Sequence, residues 1–99
     1  MVYKRSEKIL TLKITEEIDH HIVEKMRRRM DDEITRYMPR KVVFDFNKVT
    51  FMDSAGIGMV LGRYKMMKML GGCVEMINVS PILNKVFAMS GITKICKIS

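Results

Sequence analysis

Tryptophan is absent from this 99-residue chain, and cysteine and proline occur only twice each. There is no Cys-x-x-Cys pair and no His-Glu-x-x-His motif. His20 and His21 are adjacent, so on a helix they would point in different directions, and no zinc site is expected. Cys73 and Cys96 fall inside apolar, strand-like segments and read as small core residues of a reducing compartment, with nothing that requires a disulfide. No apolar run approaches the roughly 18 residues of a membrane span. The opening residues, MVYKRSEKIL, lack the apolar core and small-residue cleavage site of a secretory signal. Together these absences imply a cytoplasmic chain with no metal, no cofactor and no membrane partner.

What is present is ordinary for a globular protein: 47% apolar and 29% charged residues, enough for one domain spanning residues 1–99 with one core. The net charge of +7 admits nucleic acid, an anionic membrane or an acidic protein as partner. The only dense basic run, Arg27 to Arg29, is followed by Asp31, Asp32 and Glu33. Glu24 with Arg28, and Asp32 with Arg36, have the spacing of helix-surface pairs. That run reads as a solvated helix face rather than a nucleic-acid patch. Many of the eleven methionines would fill core gaps, and others could coat an adaptable binding surface.

Val2 to Ser6 and Ile9 to Ile14 read as two short strands around a turn, the second alternating apolar and polar residues. Val23, Met26, Met30 and Ile34 mark an amphipathic helix from His21 to Tyr37, capped by Asp19 and stopped at Pro39. Lys41 to Phe46 is a central strand and Cys73 to Val79 another. Ser80 and Pro81 start a short helix that Gly91 closes, and Lys94 to Ile98 is the last strand. The order β-β-α-β-α-β-α-β predicts an α/β domain with a mixed sheet, because strand-helix-strand crossovers favour parallel pairing.

The stretch FMDSAGIGMVLGRYK, residues 51–65, opens the middle helix, and Gly71 and Gly72 end it. It fits neither a dinucleotide fingerprint, where Leu61 replaces the third glycine, nor a Walker loop, nor a nucleophile elbow. A serine hydrolase would have to recruit His20 or His21 from elsewhere, so binding is preferred to catalysis. Asp53 or Ser54 can cap the helix, but capping does not explain Gly56, Gly58 and Gly62, since glycine costs a helix interior about 1 kcal/mol relative to alanine. On a helical wheel Ile57, Val60, Leu61, Tyr64 and Met67 share one face. Met59, Gly62, Met66 and Met69 lie broadly opposite, with Gly58 at their edge. Two readings stay open: a helix buried on both faces, or a partner surface where glycine permits close backbone approach.

The same stretch resembles the signature of the STAS-domain anti-sigma-factor antagonists. EIDHH at 17–21, VSP at 79–81 and FAMSGITKI at 87–95 extend the match in order over nearly the whole chain. DHH, GRYK and MSG look more like the sporulation branch than the general-stress branch. The resemblance implies a STAS-like single domain without enzymatic activity of its own. Its unmodified form would bind an anti-sigma factor that is also a serine kinase, releasing the sigma factor. Phosphorylation of the serine in D-S-x-G, here Ser54, would end that binding. A serine phosphatase of the PPM type, normally using manganese, would restore it, so metal and ATP belong to the partners.

Asp19 matches the family's aspartate near the phosphorylation site. The expected contact set is Asp19, Asp53, Ser54, Ala55, Gly56, Ile57, Gly58, Met59, Gly62 and Met66. Glu16 stands where the family often has glycine, a departure in the loop beside Ser54. The sequence also stops at Ser99, where the family commonly carries a further helix. The competing readings are a small basic nucleic-acid-binding protein, which would bind with steep salt dependence, and a serine hydrolase, which a serine-reactive probe would label at Ser54.

Overall fold

The chain opens with a hairpin. Val2–Ser6 (β1) and Ile9–Lys13 (β2) pair antiparallel across Glu7 and Lys8. Both turn residues take positive φ, 49° and 70°, the hand of turn that matches the twist of the flanking strands. From there every pairing is parallel: β2 with Lys41–Asp45 (β3), β3 with Cys73–Ile77 (β4), and β4 with Lys97–Ile98 (β5). Parallel neighbours need crossovers. These are His20–Tyr37 (α1), Ser54–Met69 (α2), and Pro81–Ser90 (α3) followed by a 3₁₀ turn at Ile92–Lys94. The computed structural model, which describes residues 1–99, is therefore a mixed five-stranded sheet in the order β1-β2-β3-β4-β5 with three α-helices.

All three helices cover the same face of the sheet. Leu10 and Leu12 of β2, Val42 and Phe44 of β3, and Val74 and Met76 of β4 are buried there. They share one cluster with Met30 and Ile34 of α1, Val60 and Met67 of α2, and Leu83 and Phe87 of α3. The residues between them project to the other face. There the carboxylate of Glu75 takes Lys41 Nζ at 2.7 Å and lies 4.0 Å from Lys97 Nζ. The hydrogen bond from Lys41, seconded by one from Ser99, holds the Glu75 carboxyl below its ordinary pKa.

Helix ends follow local chemistry. Asp19 caps α1 as expected, and Met38 ends it at φ 51° just before Pro39. Ser80 accepts the Leu83 N–H at 3.1 Å with Pro81 in the first helical position. At the end of α2, Gly71 takes φ 78°, and the Gly72 N–H reaches back to the Met67 carbonyl at 2.7 Å. This is the glycine-terminated C-cap foreseen at that pair.

Several expectations change: β2, β3 and β4 each end one or two residues early, at Lys13, Asp45 and Ile77. The last strand shrinks to Lys97–Ile98 because Ile92–Lys94 winds into a 3₁₀ turn. The Cys96 N–H bonds to the Ile92 carbonyl at 2.9 Å, and both side chains enter the core. Cys73 is exposed and only Cys96 is buried, since Cys73 has the strand parity of Glu75 rather than of Val74. Burial pushes the Cys96 thiol up to about 11. The α1 surface pairs form one residue closer than expected, Arg27 with Glu24 at 2.9 Å and Arg36 with Glu33 at 3.5 Å.

Two glycines make opposite predictions. A Cβ on Gly72 would sit 2.6 Å from the Arg40 carbonyl oxygen, whereas one on Gly62 would meet nothing within 4 Å. Gly72→Ala should lower stability by about 1–3 kcal/mol. Gly62→Ala should raise it by up to about 1 kcal/mol through helix propensity alone. Urea midpoints at unchanged slope test both. A Gly62→Ala variant less stable than the parent would show that this position is packed.

Candidate functional site

Beyond the ends of β2 and β3 the two chains touch once more, in an isolated parallel bridge between Ile18 and Met52. Both side chains are buried. The bridge sets the next residues, Asp19 and Asp53, side by side, and each caps a helix. Asp19 Oδ1 accepts the N–H groups of His21 at 2.9 Å and Ile22 at 3.1 Å. Asp53 Oδ1 accepts those of Ala55 at 3.0 Å and Gly56 at 3.1 Å. Two helix N-termini thus open next to each other, each with its own carboxylate.

Ser54 is the first residue of α2 and is exposed. Asp53 takes the N–H groups of Ala55 and Gly56 with its side chain and that of Ile57 with its carbonyl at 3.0 Å. The Ser54 N–H finds no acceptor within the chain. Gly56 is buried, and a Cβ there would lie 3.0 Å from Met52 Cβ and 3.1 Å from Ile18 Cγ2. The first turn of α2 therefore rests directly on the bridge, and a side chain at 56 would lift it.

The other glycines have no such reason. Gly58 is exposed and Gly62 half-buried, with open space where either Cβ would be. Ser54, Gly58 and Gly62 follow one another at four-residue intervals and so lie along one stripe of the helix. Ala55, Ile57 and Met66 are partly buried beside it, packed against the core. Met59 is 1% exposed and belongs to the core. Its expected place on the contact surface is corrected: position 59 falls on the buried line with Gly56, Val60, Arg63 and Met67. Gly56 likewise acts through packing and not through the surface.

Two residues escaped the sequence reading. Phe51 is 56% exposed while Met52 is buried. Alternation along the extended segment turns Phe51 and Asp53 outward together, and that alternation was a usable signal. Arg63 is buried, its Nε 3.0 Å from Asp31 Oδ1 of α1. Burial lowers its guanidinium pKa against the opposing pull of Asp31. Its spacing from Gly56, Met59 and Met67 marks the buried line, but its charge disguised it. His20 and His21 do not diverge: their ring centroids lie 4.0 Å apart. His20 begins α1, so no preceding turn restricts its rotamer. No three His, Cys, Asp or Glu side chains are grouped to hold a metal ion, and no helix is long and apolar enough to cross a membrane.

Because Asp53 alone caps α2, Asp53→Ala should cost about 0.5–2 kcal/mol. Amide exchange should quicken first at Ala55 and Gly56 and leave α3 unchanged. Equal protection in both proteins would mean that the cap contributes nothing.

The STAS domain family model matches residues 1–99. The anti-sigma F factor antagonist of Paenibacillus polymyxa is 36% identical over 90 residues, 91% of this chain and 77% of that protein. Among solved structures, the anti-sigma factor antagonist SpoIIAA in its unphosphorylated form aligns with a TM-score of 0.86 at 28% identity, over 99% of this chain and 86% of that one. The phosphorylated form of SpoIIAA, a Bacillus cell fate determinant, aligns with a TM-score of 0.77 at 28% identity, over 99% of this chain and 89% of that one. Matched along its whole length, the chain belongs to the STAS domain family.

Proposed function

We propose that this protein is an anti-sigma-factor antagonist switched by phosphorylation of Ser54. The observation that carries the reading is the stripe on α2, where an exposed serine heads a line of glycines at which an added Cβ would meet nothing within 4 Å. A partner laid along Gly58 and Gly62 meets backbone rather than side chains and brings its surface up to Ser54. Asp53, Ala55, Ile57 and Met66 border that line, and Asp19 stands at the neighbouring helix start. The relative from Paenibacillus polymyxa is named an anti-sigma F factor antagonist, and SpoIIAA has both unphosphorylated and phosphorylated structures. These similarities support the same role here.

In this reading the unmodified protein binds an anti-sigma factor with serine kinase activity, and the sigma factor is affected indirectly through its release. The kinase moves a phosphoryl group to Ser54 Oγ, and a PPM-type serine phosphatase removes it. The antagonist itself supplies a nucleophilic hydroxyl in an accessible place and performs no catalysis. Its cytoplasmic location follows from those partners.

The electrostatics explain why one phosphate suffices. It adds about −1.5 to −2 charge at pH 7. Within the free domain the unpaired Ser54 N–H and the helix dipole favour an anion, by about 0.3–1 kcal/mol, so the fold survives. Against a partner the same group must lose hydration beside the Asp53 and Asp19 carboxylates, and on the closely approached stripe its bulk has no room.

Calorimetric titration of the kinase with unmodified and phosphorylated protein tests the switch. Phosphorylation should weaken binding by at least about a hundredfold, or about 2.7 kcal/mol. Ser54→Ala should bind but resist phosphorylation, and Ser54→Asp should stay folded yet bind poorly. Equal affinities for the two forms would sink the proposal.

The stripe has its own test. Gly62→Leu places a side chain in open space, so the thermal transition should remain cooperative while kinase affinity falls about tenfold or more. Undiminished affinity would move the interface elsewhere on the domain.

A further inference from the structure

The switch occupies the N-terminal ends of the helices, and the opposite end of the domain forms a second surface of different chemistry. Since α1, α2 and α3 each return the chain between parallel strands, their C-termini converge where β3, β4 and β5 begin. Hydrogen bonds tie this end together. The Lys8 N–H donates to the Tyr37 hydroxyl at 3.1 Å, the Arg40 N–H to the Lys8 carbonyl at 2.8 Å, and the Cys73 N–H to the Arg40 carbonyl at 3.1 Å. Beside them lies a hollow of about 280 Å³ walled by Lys41, Tyr64, Lys68, Glu75, Ile95 and Lys97.

Basic side chains predominate at this end, with Glu7 beside Lys8 in the hairpin turn the exposed acidic exception. Lys8, Arg40, Lys68 and Lys94 are exposed and form no ion pair. The only acidic side chain in the wall of the hollow, Glu75, is already engaged by Lys41 and Lys97. Cations at helix C-termini are favoured by the dipole, which accounts for a lysine such as Lys68. It does not account for the apolar side chains left bare among them: Met69 is 89% exposed, Ile95 44% and Leu70 43%.

We propose that this end docks an acidic polypeptide segment of a partner protein. Its carboxylates would be received by Lys68 at the hollow and by Lys94 next to Ile95, and its apolar side chains by Met69, Leu70 and Ile95. Methionine is the side chain best able to adapt to such contacts. A single-stranded nucleic acid would need a stacking platform, and Tyr64, the only aromatic in the hollow, is half-buried. A flat anionic bilayer would leave the hollow unfilled. Set at the far end from Ser54, the surface stays available while the switch is engaged, and its occupancy is independent of the phosphorylation state.

The test titrates full-length protein into a fluorescein-labelled peptide of about a dozen residues, alternating glutamate with leucine or phenylalanine, at low salt. Parallel titrations use a glutamate–glycine peptide, a mixed-sequence single-stranded RNA and phosphatidylglycerol vesicles. The glutamate–leucine/phenylalanine peptide should bind saturably and more tightly than the other three. Lys68→Glu with Lys94→Glu should weaken it about tenfold or more, Met69→Ser about threefold, and Ser54→Asp not at all. Both surface variants should keep the parent thermal transition. No saturable binding, binding indifferent to the charge reversal, tighter binding to RNA or vesicles, or loss on Ser54→Asp would each overturn the proposal.

Discussion

The contact on which the site depends is the bridge between Ile18 and Met52. The parallel ladder of β2 and β3 continues one step further, from the Ile14 N–H to the Asp45 carbonyl at 3.1 Å, and the chains then separate before meeting at the bridge. One residue later each turns into a cap, and two later into a helix. Gly56 seats α2 on the bridge with no side chain between. The start of the Ser54 helix is thus placed by the backbone pairing that brings Ile18 and Met52 together beneath Gly56. In the proposed switch, this presents Ser54 to a kinase and to a binding partner in one geometry.

With its first turn held at the bridge, α2 is fixed along its length by two further constraints. Met59, Val60 and Met67 enter the core, and Arg63 is drawn against Asp31 of α1. An arginine buried this far would be costly without its partner, so the pair favours one azimuth of α2 over its alternatives. The azimuth so chosen turns Ser54, Gly58 and Gly62 toward solvent. Each glycine leaves the helix weaker than alanine would, and neither is needed for packing inside the domain. In the proposed interface, this exposed backbone is what the partner would meet.

How much of this was legible depended on whether a segment had a one-sided pattern. In α1 the apolar residues recur on one face, and its cap, its extent and its stop were all readable, as were the β-α alternation and the landmarks around Ser54. In α2 apolar and small residues run all the way round, so periodicity gave no direction, and the assignment of Met59 to the surface failed for that reason. Phe51 and Arg63 were missed because they invert the usual rule, an aromatic exposed and a cation buried. The expected strand Lys94 to Ile98 forms only at Lys97–Ile98, because the short apolar segment before it follows a helical spacing instead. The bridge itself leaves no trace in periodicity: it joins residues 18 and 52 through topology, and the strand pairing sets Asp19 next to Asp53, a proximity that the family resemblance alone suggests.

The same topology distributes charge. Parallel strands with helices on one face must gather all helix N-termini at one end and all C-termini at the other, which gives the domain an electrostatic axis before any side chain is chosen. The side chains then follow it. Asp19 and Asp53 cap the N-terminal end, while Lys68 and Lys94 close the last turns of α2 and of the 3₁₀ segment. A net charge of +7 is therefore not spread as a uniform field. In the proposed switch, the added phosphate is a strong local change in a region that already carries the Asp19 and Asp53 carboxylates. A basic side chain paired with that phosphate would dull the proposed switch.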